Sequence, residues 1–237
     1  MCLLYGCDVI GNTALGEHGG GIFVKQGDIT TGPSAVRETG SATPSKATLI
    51  QSNTAHKAGG GIYNEQGDIN LNGDLASTIH NHTLRIDADR FTPVNDNLIP
   101  LGRHMPVDKT PFDFRTAKTI GQDIEAENGQ LLTGNGYDHN FVLNRPCLDT
   151  PAAELASPVT CIAMQVYTTA PGLQLYTGNF LNGVAGKGGV RYPARSAVCL
   201  ETQQYPDSPN HRWPESTGYL RPDQPFDSTT IFKFSQQ

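Results

Sequence analysis

Three side chains stand on strand-like patterns where they could move a proton or hold a polar ligand: Asp138, Gln174 and Glu201. Glu201 lies in Ala197–Gln203, where Val198 and Leu200 alternate with Cys199, Glu201 and Gln203. That is the period of a strand with one face in a core, so Glu201 and Gln203 point the same way. Pro206 and the Asp207-Ser208-Pro209-Asn210 cluster end the strand in a turn, because proline donates nothing to a ladder and Asp, Ser and Asn close local side-chain turns. A carboxylate so placed is a candidate general base, and its bland rival is a solvated surface glutamate. Asp138 sits in Tyr-Asp-His-Asn-Phe, where it is either a ligand contact or a turn carboxylate. Gln174, between Leu173 and Leu175, either faces a site or faces solvent.

The elements that must carry these residues read as short strands. Tyr137–Leu143, Thr160–Tyr167, Leu173–Tyr176, Ala197–Gln203 and Thr230–Phe234 are predicted strands, as is the alternating run Leu84–Phe91. Residues 182–189, with four glycines, read as a mobile loop, and no segment has the pattern of a long helix. The 26 glycines and 16 prolines among 237 residues agree with many short strands joined by turns.

Residues 1 to about 74 carry a repeat. Asn12-Thr13-Ala14, Gly19-Gly20-Gly21-Ile22-Phe23 and Gln26-Gly27-Asp28-Ile29 recur as Asn53-Thr54-Ala55, Gly59-Gly60-Gly61-Ile62-Tyr63 and Gln66-Gly67-Asp68-Ile69. The offset is 41 residues from Asn12 to Asn53 and 40 from Gly19 to Gly59, a one-residue slip placed in the turn. Short β runs (Cys7–Ile10, Gly21–Val24, Ala47–Gln51, Gly61–Asn64) between Asn and Gly corners read as about two coils of a parallel β-helix, with Thr30–Lys46 looping out between them. The repeat resembles those of β-helical surface proteins such as autotransporter passengers. Two coils without caps are marginal unless they dock on something. The glycine runs are not read as phosphate loops, because β-favouring residues rather than a helix start follow them.

A net charge of −6, with its 17 basic residues unclustered, leaves no footprint for nucleic acid or an anionic membrane. No stretch approaches the roughly 18 apolar residues that span a bilayer, and the first residues lack a signal peptide's basic start, so a cytoplasmic location is expected. Five scattered cysteines suggest reduced, buried thiols. His18, His56, His80, His104 and His211 fit no ligand spacing, so neither a metal nor another cofactor is expected.

Five segments, in order, carry a resemblance: Thr92-Pro93-Val94-Asn95-Asp96-Asn97-Leu98-Ile99-Pro100, Thr110-Pro111-Phe112-Asp113-Phe114-Arg115, Gly136–Leu143, Pro171–Phe180, and Leu200–Asn210. Over residues 79 to 237 the chain resembles the aldose 1-epimerases, also called galactose mutarotases. The resemblance implies the C-terminal part of a large antiparallel β-sandwich, and an all-β chain divided into a repeat segment (1–74) and an incomplete epimerase-like segment (75–237). It implies interconversion of the α and β anomers of an aldohexose, galactose or glucose, by general acid–base ring opening. A base takes the anomeric proton and an acid protonates the ring oxygen. The base falls on Glu201, while Asp138 and Gln174 fall on sugar-contacting positions. His82, in Asn81-His82-Thr83, resembles the opening of the family's acid motif, but Leu84 follows at once, and by spacing from Asp87–Arg90 it matches better a second, non-catalytic histidine.

The family's N-terminal half has no counterpart in the chain, so weak or lost activity is expected, and open strand edges make self-association expected too. Trp213 either stacks on a sugar face or packs internally. The competing readings are a non-catalytic carbohydrate-binding or β-helical adhesion protein, and a fusion that does not fold cooperatively.

Overall fold

The computed structural model describes side chains over residues 69–73, 77–181, 183–184, 191–211, 213, 216 and 227–236, and only backbone strands at short stretches between 2 and 68 and at 185. The N-terminal strands are β1 (Cys2–Leu3), β2 (Asp8–Ile10), β3 (Thr13–Ala14), β4 (Ile22–Val24), β5 (Ile29–Thr30), β6 (Leu49–Gln51), β7 (Thr54–Ala55), β8 (Ile62–Glu65) and β9 (Asp68–Asn70). Parallel pairing joins equivalent residues of the two repeat copies, Thr13 with Thr54 and Ile22 with Ile62, so the slip in the sequence offset is also a slip in register. These pairs are two or three residues long, and β9 turns back antiparallel onto β8. The corners of a β-helix and the Thr30–Lys46 insertion lie outside the described residues, apart from the end of β5 at Thr30.

The rest is a two-layer antiparallel sandwich. Its strands are β10 (Thr83–Ile86), β11 (Ala88–Thr92), β12 (Met105–Pro106), β13 (Lys118–Thr119), β14 (Asp138–Leu143), β15 (Ala153–Ala156), β16 (Ile162–Thr168), β17 (Gly172–Tyr176), β18 (Val184–Ala185), β19 (Arg191–Tyr192), β20 (Cys199–Gln203) and β21 (Thr230–Gln236). One sheet has the order β13-β10-β15-β16-β21, the other β12-β11-β14-β17-β20. The predicted loop at 182–189 is described only at 183–185, where β18 pairs with β19. One short α-helix, α1 (Gly129–Gly134), and two single 3-10 turns, Ile79–Asn81 and Ile120–Gln122, appear among the described residues.

The strand predicted over Leu84–Phe91 is two strands in opposite sheets. Leu84, Ile86 and Ala88 keep the inward alternation, but the chain crosses layers at Asp87. There the Asp87 N–H donates to Ala152 O (2.8 Å) of one side, and its carbonyl accepts from Asn144 N (2.9 Å) of the other. A register shift between Ala88 and Arg90 follows. Period-2 patterning cannot reveal such a switch, because the alternation continues through it.

Between the sheets, Phe91 and Phe112 stack at 4.1 Å with planes 5° apart, and Phe114, Tyr137 and Phe141 close around them. Each such ring contributes roughly 1.5–3 kcal/mol by leaving water. Ile69 and Leu71, placed by sequence in the repeat segment, belong to this core. Ile69 and Val198 exchange both backbone hydrogen bonds (2.7 and 2.9 Å), which carries the chain from β9 into the sandwich. Of the described cysteines only Cys199 is buried; Cys161 is exposed and Cys147 intermediate, a correction to the expectation of buried thiols.

Candidate active site

Strands β14, β17 and β20 lie side by side, and their registers set the outer face of the second sheet. One cross-strand row runs Thr92, Asn140, Gln174, Glu201; the row above is Asp138, Tyr176, Cys199; the row below is Val142, Gly172, Gln203. The opposite parity, Phe141, Leu173, Leu175, Val198 and Leu200, is in the core. The alternation predicted for Ala197–Gln203 is therefore the alternation observed.

Local chemistry aims these strands. Asn128 caps α1 by accepting from Gln130 N (3.0 Å), and Asn135 ends it in the left-handed conformation at φ 52°. Gly136 follows at φ +130°, and a Cβ there would meet Asn179 Oδ1 at 2.4 Å. Asn179 Nδ2 donates to Gly134 O (2.8 Å) and Tyr137 O (2.9 Å), so the start of β14 and the loop after β17 are tied together.

The result is an open concavity of about 400 Å³, lined by Asp138, Gln174, Tyr176, Phe180, Glu201, Gln203 and Pro206. Gln174 Nε2 donates to Asp138 Oδ1 (2.8 Å), a charge-assisted bond, and Gln203 Nε2 reaches Gln174 Oε1 at a longer 3.4 Å. Burial pushes the Asp138 carboxyl up from the ordinary carboxylate range, opposed by the Gln174 donor. Tyr176 and Phe180 stack with planes 17° apart, and the Tyr176 hydroxyl accepts from Phe180 N (3.1 Å). Phe180 is 56% exposed, an unusual placement for a phenylalanine, and forms an apolar wall beside the polar groups. Two carboxylates, two amides and an aromatic wall suit a polyhydroxylated ring: acceptors and donors for its hydroxyls, an apolar surface for its C–H face, and Glu201 to accept a proton.

Glu201, Asp138 and Gln174, three of the four site residues expected from sequence and resemblance, line the one concavity. His82, which the motif likeness offered as acid and the spacing did not, is not among them. It is fully buried, just before β10 in the opposite sheet, and is absent from the lining of the concavity. Its Nε2 accepts from Leu71 N (2.9 Å), which leaves Nδ1 to donate to Asn81 Oδ1 (3.1 Å). A nitrogen that accepts from a backbone N–H holds no proton to give, so His82 is a structural clasp. Trp213 is buried against His104 (4.5 Å, planes 17° apart) and Tyr205, as in the packing reading.

Tyr176 and Phe180 were not singled out by sequence; their parity with Gln174 and their place in the Pro171–Phe180 segment were the available signals. Among the described residues no group of three or more His, Cys, Asp or Glu side chains could hold a metal ion, and no helix is long and apolar enough to cross a membrane.

Comparison with known proteins puts a family to this geometry. The family model for aldose 1-epimerase matches residues 69–233, beginning ten residues before the stretch where motifs were recognised, at the Ile69 bridge. The chain is 42% identical over 168 residues to the galactose mutarotase of Homo sapiens, covering 70% of this chain and 47% of that protein. It is 40% identical over 167 residues to the aldose 1-epimerase of Escherichia coli K12, covering 70% and 48%. A solved aldose epimerase homologue from C. elegans superposes with a TM-score of 0.59 at 28% identity, covering 71% of this chain and 50% of that one. The galactose 1-epimerase of Lactobacillus acidophilus gives 0.54 at 28% identity, covering 74% and 48%. The chain spans about half the length of the relatives it matches. With the two-sheet sandwich, the ordered motifs and the family match in agreement, this chain belongs to the aldose 1-epimerase family.

Proposed function

We propose that the chain acts on an aldohexose, galactose or glucose, and interconverts its anomers with Glu201 as general base. The observation that carries this reading is the meeting of Glu201, Asp138 and Gln174 on one concavity. Glu201 takes the proton of the anomeric hydroxyl, the C1–ring-oxygen bond opens to the aldehyde, and rotation about the C1–C2 bond followed by reclosure gives the other anomer. Asp138 and Gln174, already bonded to each other, hold ring hydroxyls. No histidine among the described residues lines the concavity, so we assign protonation of the ring oxygen to water in the open site. A positioned general acid is worth typically 10²–10⁴-fold, and turnover should be weak by about that factor. The test is the relaxation of optical rotation of fresh α-D-galactose and α-D-glucose. A rate above buffer that disappears in Glu201→Gln supports the reading; a rate equal to buffer overturns it.

We further infer that the repeat read from sequence at 1–74 forms about two β-helix coils over the residues before Ile69, where the epimerase match begins ahead of the expected start at 75. The support is parallel pairing at the repeat offset, as between Phe23 and Tyr63. Self-association through outer strand edges is the corollary, and sedimentation at two concentrations checks it.

A further inference from the structure

The outer face of the second sheet holds a buried amide that the proposed chemistry does not use. Asn140 is 1% exposed and lies between Thr92 and Gln174 in their cross-strand row. Its Oδ1 accepts from Gln203 Nε2 (3.3 Å), and its Nδ2 donates to Thr92 Oγ1 (3.1 Å). The Thr92 hydroxyl meets His104 Nδ1 at 3.2 Å. Diagonally across from this amide, in the row below, the sheet carries Gly172, where a Cβ would stand 2.4 Å from Asn140 Oδ1. Gly172 is needed for this space, in a regular strand.

Amide side chains can turn over, exchanging oxygen and nitrogen at nearly the same shape, so something must choose their orientation. Asp138, as a carboxylate, only accepts, and therefore takes Nε2 of Gln174. Gln174 then offers Oε1 to Gln203, which must answer with Nε2. Asn140 Oδ1 accepts from that same nitrogen, so both ends of the chain demand one orientation. A reversed Gln203 would set its oxygen against two others.

We propose that Asn140 is a positioning residue of this site. It fixes the amide of Gln203, and through it that of Gln174, so that Gln203 presents Oε1 to a hydroxyl donated by the ligand. The inference rests on the aldohexose reading for the identity of that ligand, and on the hydrogen-bond chain for the rest.

Two readouts separate the inference from the reading beneath it. The first is the side-chain amide ¹⁵N–¹H spectrum of the sugar-free protein. Dispersed Gln203 and Gln174 signals that collapse toward free-glutamine positions in Asn140→Ala, and in Gly172→Ala, uphold the positioning role; signals unmoved in both variants overturn it. The second is galactose affinity by calorimetry in a double-mutant cycle of Asn140→Ala and Gln203→Ala. Each single change should weaken binding about tenfold, the size of one lost neutral hydrogen bond. The double variant should bind no more weakly than either single one, because Asn140 acts through Gln203. Multiplied losses, or a fall in Tm with affinity unchanged, overturn the proposal. A wild-type protein with dispersed amide signals that gives no heat with galactose or glucose overturns the aldohexose reading, while the spectra still decide the role of Asn140.

Discussion

The two outer faces of the sandwich are built alike and end up different. Each belongs to a five-stranded antiparallel sheet over the same core, and each has a depression, about 400 Å³ on the second sheet and about 300 Å³ on the first. On the first sheet the charges are spent on each other: Arg85 Nη2 and Nε both reach Glu154 Oε1, at 2.9 and 3.1 Å, beside the small side chains Thr83, Ala156, Ala163 and Ser235. On the second sheet the chain of amides ends on Asp138, and Glu201 lies in the cross-strand row of Gln174. A depression alone is therefore not a site. What sets the second face apart is that two carboxylates, two amides and an aromatic ring line one open concavity.

The strongest way to break this comparison is to neutralise one glutamate on each face. Glu201→Gln should lower the catalysed mutarotation rate by about a hundredfold or more, the usual weight of a general base, whereas Glu154→Gln on the other face should leave it unchanged. Equal effects would mean that neither face holds the site.

A second contrast lies within β14, where Asp138 faces the concavity and the next residue faces the core. His139 is packed against Phe112 (4.8 Å) and Phe91 (5.9 Å), its Nδ1 accepts from Asp138 N (3.1 Å), and burial pushes its pKa down to about 4. With the folded pKa below the unfolded one, its contribution is present above about pH 6.5 and is lost as pH falls toward 4. The loss should approach roughly 3 kcal/mol, seen as a lower urea midpoint at pH 4.5 than at pH 7. His139→Phe should flatten that dependence.

The buried His82 sharpens the same point, since its bonds are internal. His82→Leu strands the Leu71 N–H and should destabilise by about 1–3 kcal/mol in urea titrations, with mutarotation per folded molecule unchanged. Loss of turnover at intact stability would return His82 to the chemistry. The smallest effect belongs to the first sheet: Arg85→Ala should shift stability by about 1 kcal/mol, because its ion pair with Glu154 is only half-buried and partly screened by solvent.

Much of the site was legible before the fold. Side-chain parity is a local property of a strand, so the order Val198-Cys199-Leu200-Glu201-Thr202-Gln203 alone set Glu201 and Gln203 on one face, and the ordered motifs named Asp138 and Gln174 beside them. The repeat offsets of 40 and 41 residues likewise foretold the parallel registers at Ile22–Ile62 and Thr13–Thr54. The tertiary structure decided everything that depends on which strands become neighbours. Gln174 meets Asp138, 36 residues away, and Asn140 meets Gln203, 63 residues away, only through the register of β14, β17 and β20. Spacing from Asp87–Arg90 already favoured a non-catalytic His82, but its bond to Leu71 N comes only from the tertiary structure, in which the Ile69–Val198 bridge brings residues 69–71 to the sandwich. Parity is written in consecutive residues; convergence belongs to pairings that the chain makes only when folded.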